Sequence, residues 1–195
     1  ADGRSVDPHV WMDAGFWAQA ITPVSQALAD VAPDCAQAIE ARAQRYRREL
    51  LALDQWMAES IATIPSAQRI LMTAHDAFGY FGRAYDIEVR GIQGISTSAE
   101  AGVGDIQAMA TLILERQVPA VFVESTINPR TIEAVIEAVR ERGFRVKKGG
   151  MLYGDALGQP GTPVDTLVGM LSYNVQTITQ ALGGTPRPLP AIVLP

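Results

Sequence analysis

The sequence predicts an α/β fold, a mostly parallel four-stranded sheet flanked by helices and preceded by one long helix. Two observations carry this. Residues 35–64 place Ile39, Tyr46, Leu50, Leu53, Met57 and Ile61 on one helical stripe. After Pro65 the texture changes, and short apolar runs alternate with helical stretches. That alternation is the signature of βαβ units covered on both faces.

Taken in order, residues 10–32 carry apolar positions at helical intervals: Trp11, Phe16, Trp17, Ile21, Val24 and Leu28. Pro33 and Asp34 interrupt them, and Asp34 is placed to cap the next helix. The long helix over 35–64 stops at Pro65-Ser66 and is stiff enough to act as a strut. Strands are expected at 69–73, 88–92, 120–123 and 144–147. Helices are expected at 76–85, 104–116, 129–142 and 164–182. The tail from Gly183 holds four prolines and is expected to run extended over the surface.

The 195 residues are 48% apolar and 19% charged, ordinary for a chain with a true core. A net charge of −5 without a Lys/Arg cluster excludes a nucleic-acid footprint. The basic run at 42–48 reads as the solvated face of a helix. A single cysteine, Cys35, rules out an internal disulfide framework and a Cys-rich zinc site. No apolar run reaches the roughly 20 residues of a membrane span. The first ten residues lack the charged-then-apolar pattern of a signal peptide.

Ligands of parallel sheets bind at the carboxyl ends of the strands. The polar groups at those ends are residues 74–76, 93–98, 124–126 and 149–155. The two histidines, His9 and His75, both lie at loop–element junctions, and Asp155 lies at the same edge after the fourth strand. Imidazole and carboxylate together suit zinc, manganese and other transition metals. The same residues have plainer readings, His9 and His75 as surface loop residues and Asp155 as a turn residue beside Gly154. Glu124 reads either as a general base or as a carboxylate closing the sheet edge or capping the helix at Pro129. GxGxxG, P-loop, GxSxG and HExxH patterns are absent.

Five ordered segments carry a resemblance: DPHVWMDAGFW, TAHDAFGYFGRAYDIEV, GIQGISTSAEAGVGDIQAM, VPAVFVESTINPRTIEAVIEAVRERGFRV and GGMLYGDALG. Together they resemble the TroA-like zinc/manganese-binding receptors of ABC importers, over residues 6 to about 182. The resemblance implies two lobes joined by a single backbone helix, with Zn2+ or Mn2+ held between them as cargo. It implies metal ligands at His9, His75 and Asp155. Relatives with another metal preference hold glutamate at the position of His75, so histidine here implies a nitrogen-rich site. The chain starts just ahead of DPH, and the family's N-terminal lobe supplies one further histidine. The expected organisation is therefore a remnant of that lobe at 1–34, the linking helix at 35–64, and a C-terminal α/β lobe at 65–195.

The resemblance further implies a periplasmic or otherwise extracytoplasmic receptor, lipid-anchored in some forms, that hands its ion to a membrane permease. With the N-terminal lobe largely absent, an apolar face is expected to be open to self-association. The rival from another class is a metal-dependent hydrolase with a His/His/Asp site and Glu124 as base.

Overall fold

The N-terminal segment does not form the single helix expected over residues 10–32. In the computed structural model, which describes residues 6–95 and 101–193, it is broken. A 3-10 turn at Val10–Met12 leads to α1 (Ala14–Trp17), a second turn at Ala18–Ala20 and α2 (Ile21–Val31). The break lies at Asp13, whose backbone is extended (φ −103°, ψ 100°). Its carboxylate accepts the Phe16 N–H at 2.7 Å and so starts a new helix. The kinked path buries Met12, Ala14 and Ala18 and leaves Phe16, Val24, Leu28 and Val31 exposed.

Asp34 does not cap the long helix. Pro33–Cys35 forms a 3-10 turn, and α3 (Ala36–Ile61) starts without a capping side chain. Its 26 residues span about 39 Å at 1.5 Å per residue. Leu50, Leu53, Trp56, Met57 and Ile61 are buried, so its C-terminal half alone enters the core. The N-terminal half packs against α2. Arg69 satisfies the carbonyls beyond the helix end, donating to Ala62 O at 2.9 Å and Ile64 O at 3.0 Å.

Strands and helices then alternate: β1 (Ile70–His75), α4 (Gly79–Tyr85), β2 (Glu88–Gln93), α5 (Val103–Arg116), β3 (Ala120–Glu124), α6 (Arg130–Glu141), β4 (Lys147–Leu152) and α7 (Leu167–Ala181). This is the α/β architecture expected, with every paired strand parallel. The ladders form two pairs rather than one sheet of four. Ile70 stands opposite Glu88 and His75 opposite Gln93, while Ala120 stands opposite Lys147 and Glu124 opposite Leu152. β1 lies beside β3. Successive strand residues face opposite sides. Leu71, Ala120 and Phe122 pack with α3, α4 and α7, whereas Ile70, Met72, Val121 and Val123 pack with α5 and α6.

The fourth strand departs from expectation. It occupies 147–152 rather than 144–147, and Phe144 and Val146 precede it as apolar packing against the second core. Its path needs glycine. A Cβ at Gly149 would stand 2.6 Å from the Phe122 ring, and Gly150 has φ +142°. A register shift between Val121 and Phe122 accommodates the irregularity. Residues 74 and 75 extend β1 beyond the expected end, making His75 its last residue. The tail is extended but lashed to α3: Trp56 Nε1 donates to Arg187 O (2.7 Å), and Arg187 N donates to Ser60 Oγ (3.1 Å). Among the described residues no helix is long and apolar enough to cross a membrane.

One buried hydroxyl fixes the N-terminal segment to this frame. Tyr85 donates to Asp54 Oδ1 at 2.8 Å and accepts the Ala14 N–H at 3.1 Å. Gly15 N donates to the same Asp54 oxygen at 3.2 Å. Burial, with the Asp54 carboxylate beside it, pushes the phenol well above its usual range. Tyr85→Phe leaves the Ala14 N–H buried without an acceptor. The expected loss is about 1–3 kcal/mol, read from the urea unfolding midpoint; an unchanged midpoint would show that this hydroxyl carries no structural role.

Candidate metal centre

Three segments distant in the chain bring His9, His75 and Asp155 together. His9 sits immediately before the Val10–Met12 turn, His75 ends β1, and Asp155 lies in the turn following β4. One donor atom from each lies within 4.8 Å of the others. Nε2 of His9 is 3.0 Å from Asp155 Oδ1, and Nε2 of His75 is 3.2 Å from Asp155 Oδ2. The two imidazole centroids are 5.6 Å apart. His75 is fully buried and His9 nearly so, while the Asp155 side chain is 37% exposed.

Each of these residues is held from behind. Asp7 Oδ1 accepts the main-chain N–H of His9 at 3.0 Å and lies 2.7 Å from its Nδ1. Glu124, at the end of β3, accepts the main-chain N–H of His75 at 2.8 Å with Oε1. Its Oε2 stands 2.7 Å from His75 Nδ1, close but off the axis of a linear hydrogen bond. Glu124 thus ties the ends of β1 and β3 together, the edge-closing reading of this residue. The turn bearing Asp155 is gripped twice. Trp11 Nε1 donates to Gly154 O at 3.0 Å. Asn174 on α7 accepts Tyr153 N (3.0 Å) and donates to Tyr153 O (2.8 Å). Gly154 passes so close that a Cβ there would stand 2.9 Å from Glu124 Oε2.

The charge arrangement calls for a cation. Both ring nitrogens of both histidines face carboxylate oxygens at 3.2 Å or less. A neutral imidazole has one N–H and one lone pair. One nitrogen of each ring would therefore oppose lone pair to lone pair unless a proton or a metal ion intervenes. Among the described residues, Nε2 of His75 is buried without a hydrogen bond. Two imidazole nitrogens and a carboxylate around one point suit a zinc-like ion, with room for a further ligand. Burial, the largest single influence on His75, lowers its pKa. Glu124, Asp155 and Asp76 together outweigh it and hold the imidazole above its ordinary value.

The remaining edge residues take other places. Gln93 and Thr126 line a separate polar pocket with Arg130; positions 96–98 lie outside the described residues. Asp7, Trp11 and Asn174 escaped sequence reasoning. Asp7, two residues before His9, was the most accessible of them, since Asp side chains commonly accept from the backbone two residues on. Beside the centre lies an apolar cavity of about 590 Å³ walled by Trp11, Trp17, Ile21, Tyr46 and Leu157, with Asp155 at its margin.

The fold gathers three candidate metal donors at one edge of an α/β structure, and the comparisons give the chain a family. The model of the zinc-uptake complex component A periplasmic family (ZnuA) matches residues 1–181. The chain belongs to this family, the group that the five ordered motifs resembled. It is 42% identical over 181 residues to the manganese-binding lipoprotein MntA of Bacillus subtilis (strain 168), covering 93% of this chain and 59% of the relative. It is 43% identical over 176 residues to the zinc-binding protein TroA of Treponema pallidum (strain Nichols), covering 90% and 57%. The solved structure of the periplasmic zinc-binding protein TroA from Treponema pallidum superposes with a TM-score of 0.89 at 41% identity, over 93% of this chain and 66% of that one. The chain thus spans less than two thirds of the length of these relatives.

The electrostatics carry a test in the metal-free protein. A raised folded pKa means that the His75 ion pairs stabilise the fold below the unfolded pKa of about 6.5. That contribution is lost as pH rises through the higher folded value. An NMR titration of the two imidazoles should place the His75 midpoint above 6.5. A midpoint at or below 6.5 would show that desolvation outweighs the three carboxylates.

Proposed function

We propose that this chain is the metal-holding part of an extracytoplasmic receptor that captures zinc or manganese and delivers it to an ABC-type permease. The observation that carries the reading is the approach of two imidazole Nε2 atoms to a single carboxylate at the carboxyl edge of parallel strands. In this reading His9, His75 and Asp155 are the ligands and the ion is cargo. A fourth ligand comes from outside the chain. The relatives support both ions, MntA being named for manganese and TroA for zinc. Nitrogen donors favour zinc by intrinsic affinity. The names "lipoprotein" and "periplasmic" among the relatives support a place outside the cytoplasm, with or without an anchor.

The proposed division is a remnant of a first lobe at residues 1–34, the linking helix at 35–64, and the second lobe at 65–195. The exposed Val24 and Leu157, which wall the cavity beside Asp155, support a covering lobe at that face. Without such a cover the same face favours self-association. The position of Glu124 supports a receptor over a hydrolase. It stands at the Nδ1 edge of His75, away from the Nε2 edge where the ion and any bound water would sit. A general base needs hydrogen-bond reach to that water.

Calorimetry in metal-free buffer should show uptake of about one zinc or manganese ion per chain, as expected of a single set of three converging ligands. His75→Ala should reduce the affinity more than any change at Glu124. Ligation requires neutral imidazole, so affinity should fall as pH falls. Because His75 holds its proton more tightly, that decline should begin above pH 6.5. Zinc and manganese titrations without heat or competition at any pH would overturn the reading.

A further inference from the structure

The two histidines are anchored by the same device, built in two different ways. In each, one carboxylate takes the main-chain N–H of the histidine and also meets its Nδ1. Asp7 does this for His9 with a single oxygen, from two residues away, and is 23% exposed. Glu124 does it for His75 with both oxygens, from 49 residues away, and its side chain is wholly buried. The first clamp is a local turn. The second exists only when β1 and β3 are assembled.

Proximity decides where the imidazole proton sits. A carboxylate oxygen 2.7 Å from Nδ1 is an acceptor only. Oε2 lies off the axis of a linear hydrogen bond, but an unprotonated Nδ1 at that distance would still leave two electron-rich atoms in contact with no proton between them. The proton of the neutral ring therefore belongs on Nδ1, although free imidazole side chains favour Nε2. Nε2 is then left bare, and it is the atom that faces Asp155.

We propose that Glu124 is a positioning residue that locks His75 in its Nδ1–H tautomer and so presents a bare Nε2 to the ion, with Asp7 acting likewise on His9. The proposal rests on the metal-receptor reading for its purpose but not for its test. Carboxylates behind ligating histidines fix ring orientation and raise ligand basicity. Here the stronger clamp is also the one that joins the strands. Strand assembly and ligand preparation are one event at His75, whereas His9 is prepared locally.

Glu124→Gln is the discriminating change. The amide has one acceptor where the carboxylate has two. The buried main-chain N–H of His75 must keep an acceptor, so the amide oxygen stays on it and the NH2 turns toward Nδ1. Nδ1 then has to accept, and the proton moves to Nε2. At Asp7 a single oxygen serves both contacts. Asp7→Asn therefore keeps His9 in the Nδ1–H form.

The chain has only two histidines, so the side-chain nitrogen NMR spectrum of the metal-free protein contains two imidazoles. Recorded at a pH where both are neutral, it should show Nδ1–H for both in the wild type. In Glu124→Gln, His75 should convert to Nε2–H. Cobalt titrated as the sole metal should then bind about 10- to 100-fold more weakly, with an altered visible spectrum. Nε2–H for His75 in the wild type overturns the proposal whether or not the variant folds. So does an unchanged tautomer and affinity in a folded Glu124→Gln. If the wild type shows Nδ1–H yet binds no cobalt, the receptor reading fails and the positioning role stands.

Discussion

A buried carboxylate must be met by donors, and much of this molecule's design follows from how Glu124 is met. Its side chain has no exposed surface. Its Oε1 accepts the main-chain N–H of His75, and its Oε2 stands 2.7 Å from the His75 imidazole, off the axis of a linear hydrogen bond. Satisfying the charge draws the end of β3 against the end of β1 and sets the His75 ring at one angle. It also occupies the space where residue 154 would carry a Cβ. Glycine there lets the chain pass close, and Asp155 emerges at the distance where its carboxylate reaches both histidines. The approach of β1 to β3, the glycine at 154 and the geometry of the proposed ligands thus share one charge as their common neighbour.

His9 arrives by another route. Its segment has little regular structure and is secured at three points. Tyr85 and Asp54 hold Ala14 and Gly15 from below. Trp11 reaches across to Gly154 O, so the same indole that flanks His9 also braces the Asp155 turn. Asp7 completes the arrangement locally. The N-terminal segment and the β4–α7 turn therefore support each other, and the proposed ligands sit where they meet. His9 and His75 are buried there, while Asp155 borders the apolar cavity.

The alternation of apolar runs after Pro65 was enough to read β1, β2, β3 and their helices within a few residues. Those elements bury side chains on two faces and leave a strong periodic record. β4 left a weak one. Its path beside Phe122 demands Gly149 and Gly150, residues that read as loop, and the apolar Phe144 and Val146 drew the expectation upstream. The helix expected over 10–32 failed for a related reason. Its apolar spacing is genuine, but Asp13 captures the Phe16 N–H and restarts the helix, a choice that periodicity does not register. His9, His75 and Asp155 were legible through motif order, and the structure brings those three side chains together. The role of Asp7 was not, and of Glu124 only the edge-closing alternative was, because the contacts behind the two histidines depend on hydrogen-bond direction and on a β1–β3 contact far apart in sequence.

In the proposed site His9, His75 and Asp155 bind one transition-metal ion together. X-ray absorption at the zinc edge of the zinc-loaded chain tests it most directly, because it reports ligand type without reference to affinity. Shared binding at this site gives multiple scattering from two imidazoles and a carboxylate oxygen in the same shell, with Zn–N at about 2.0–2.1 Å. A shell of oxygen alone, or with a single imidazole, would contradict it.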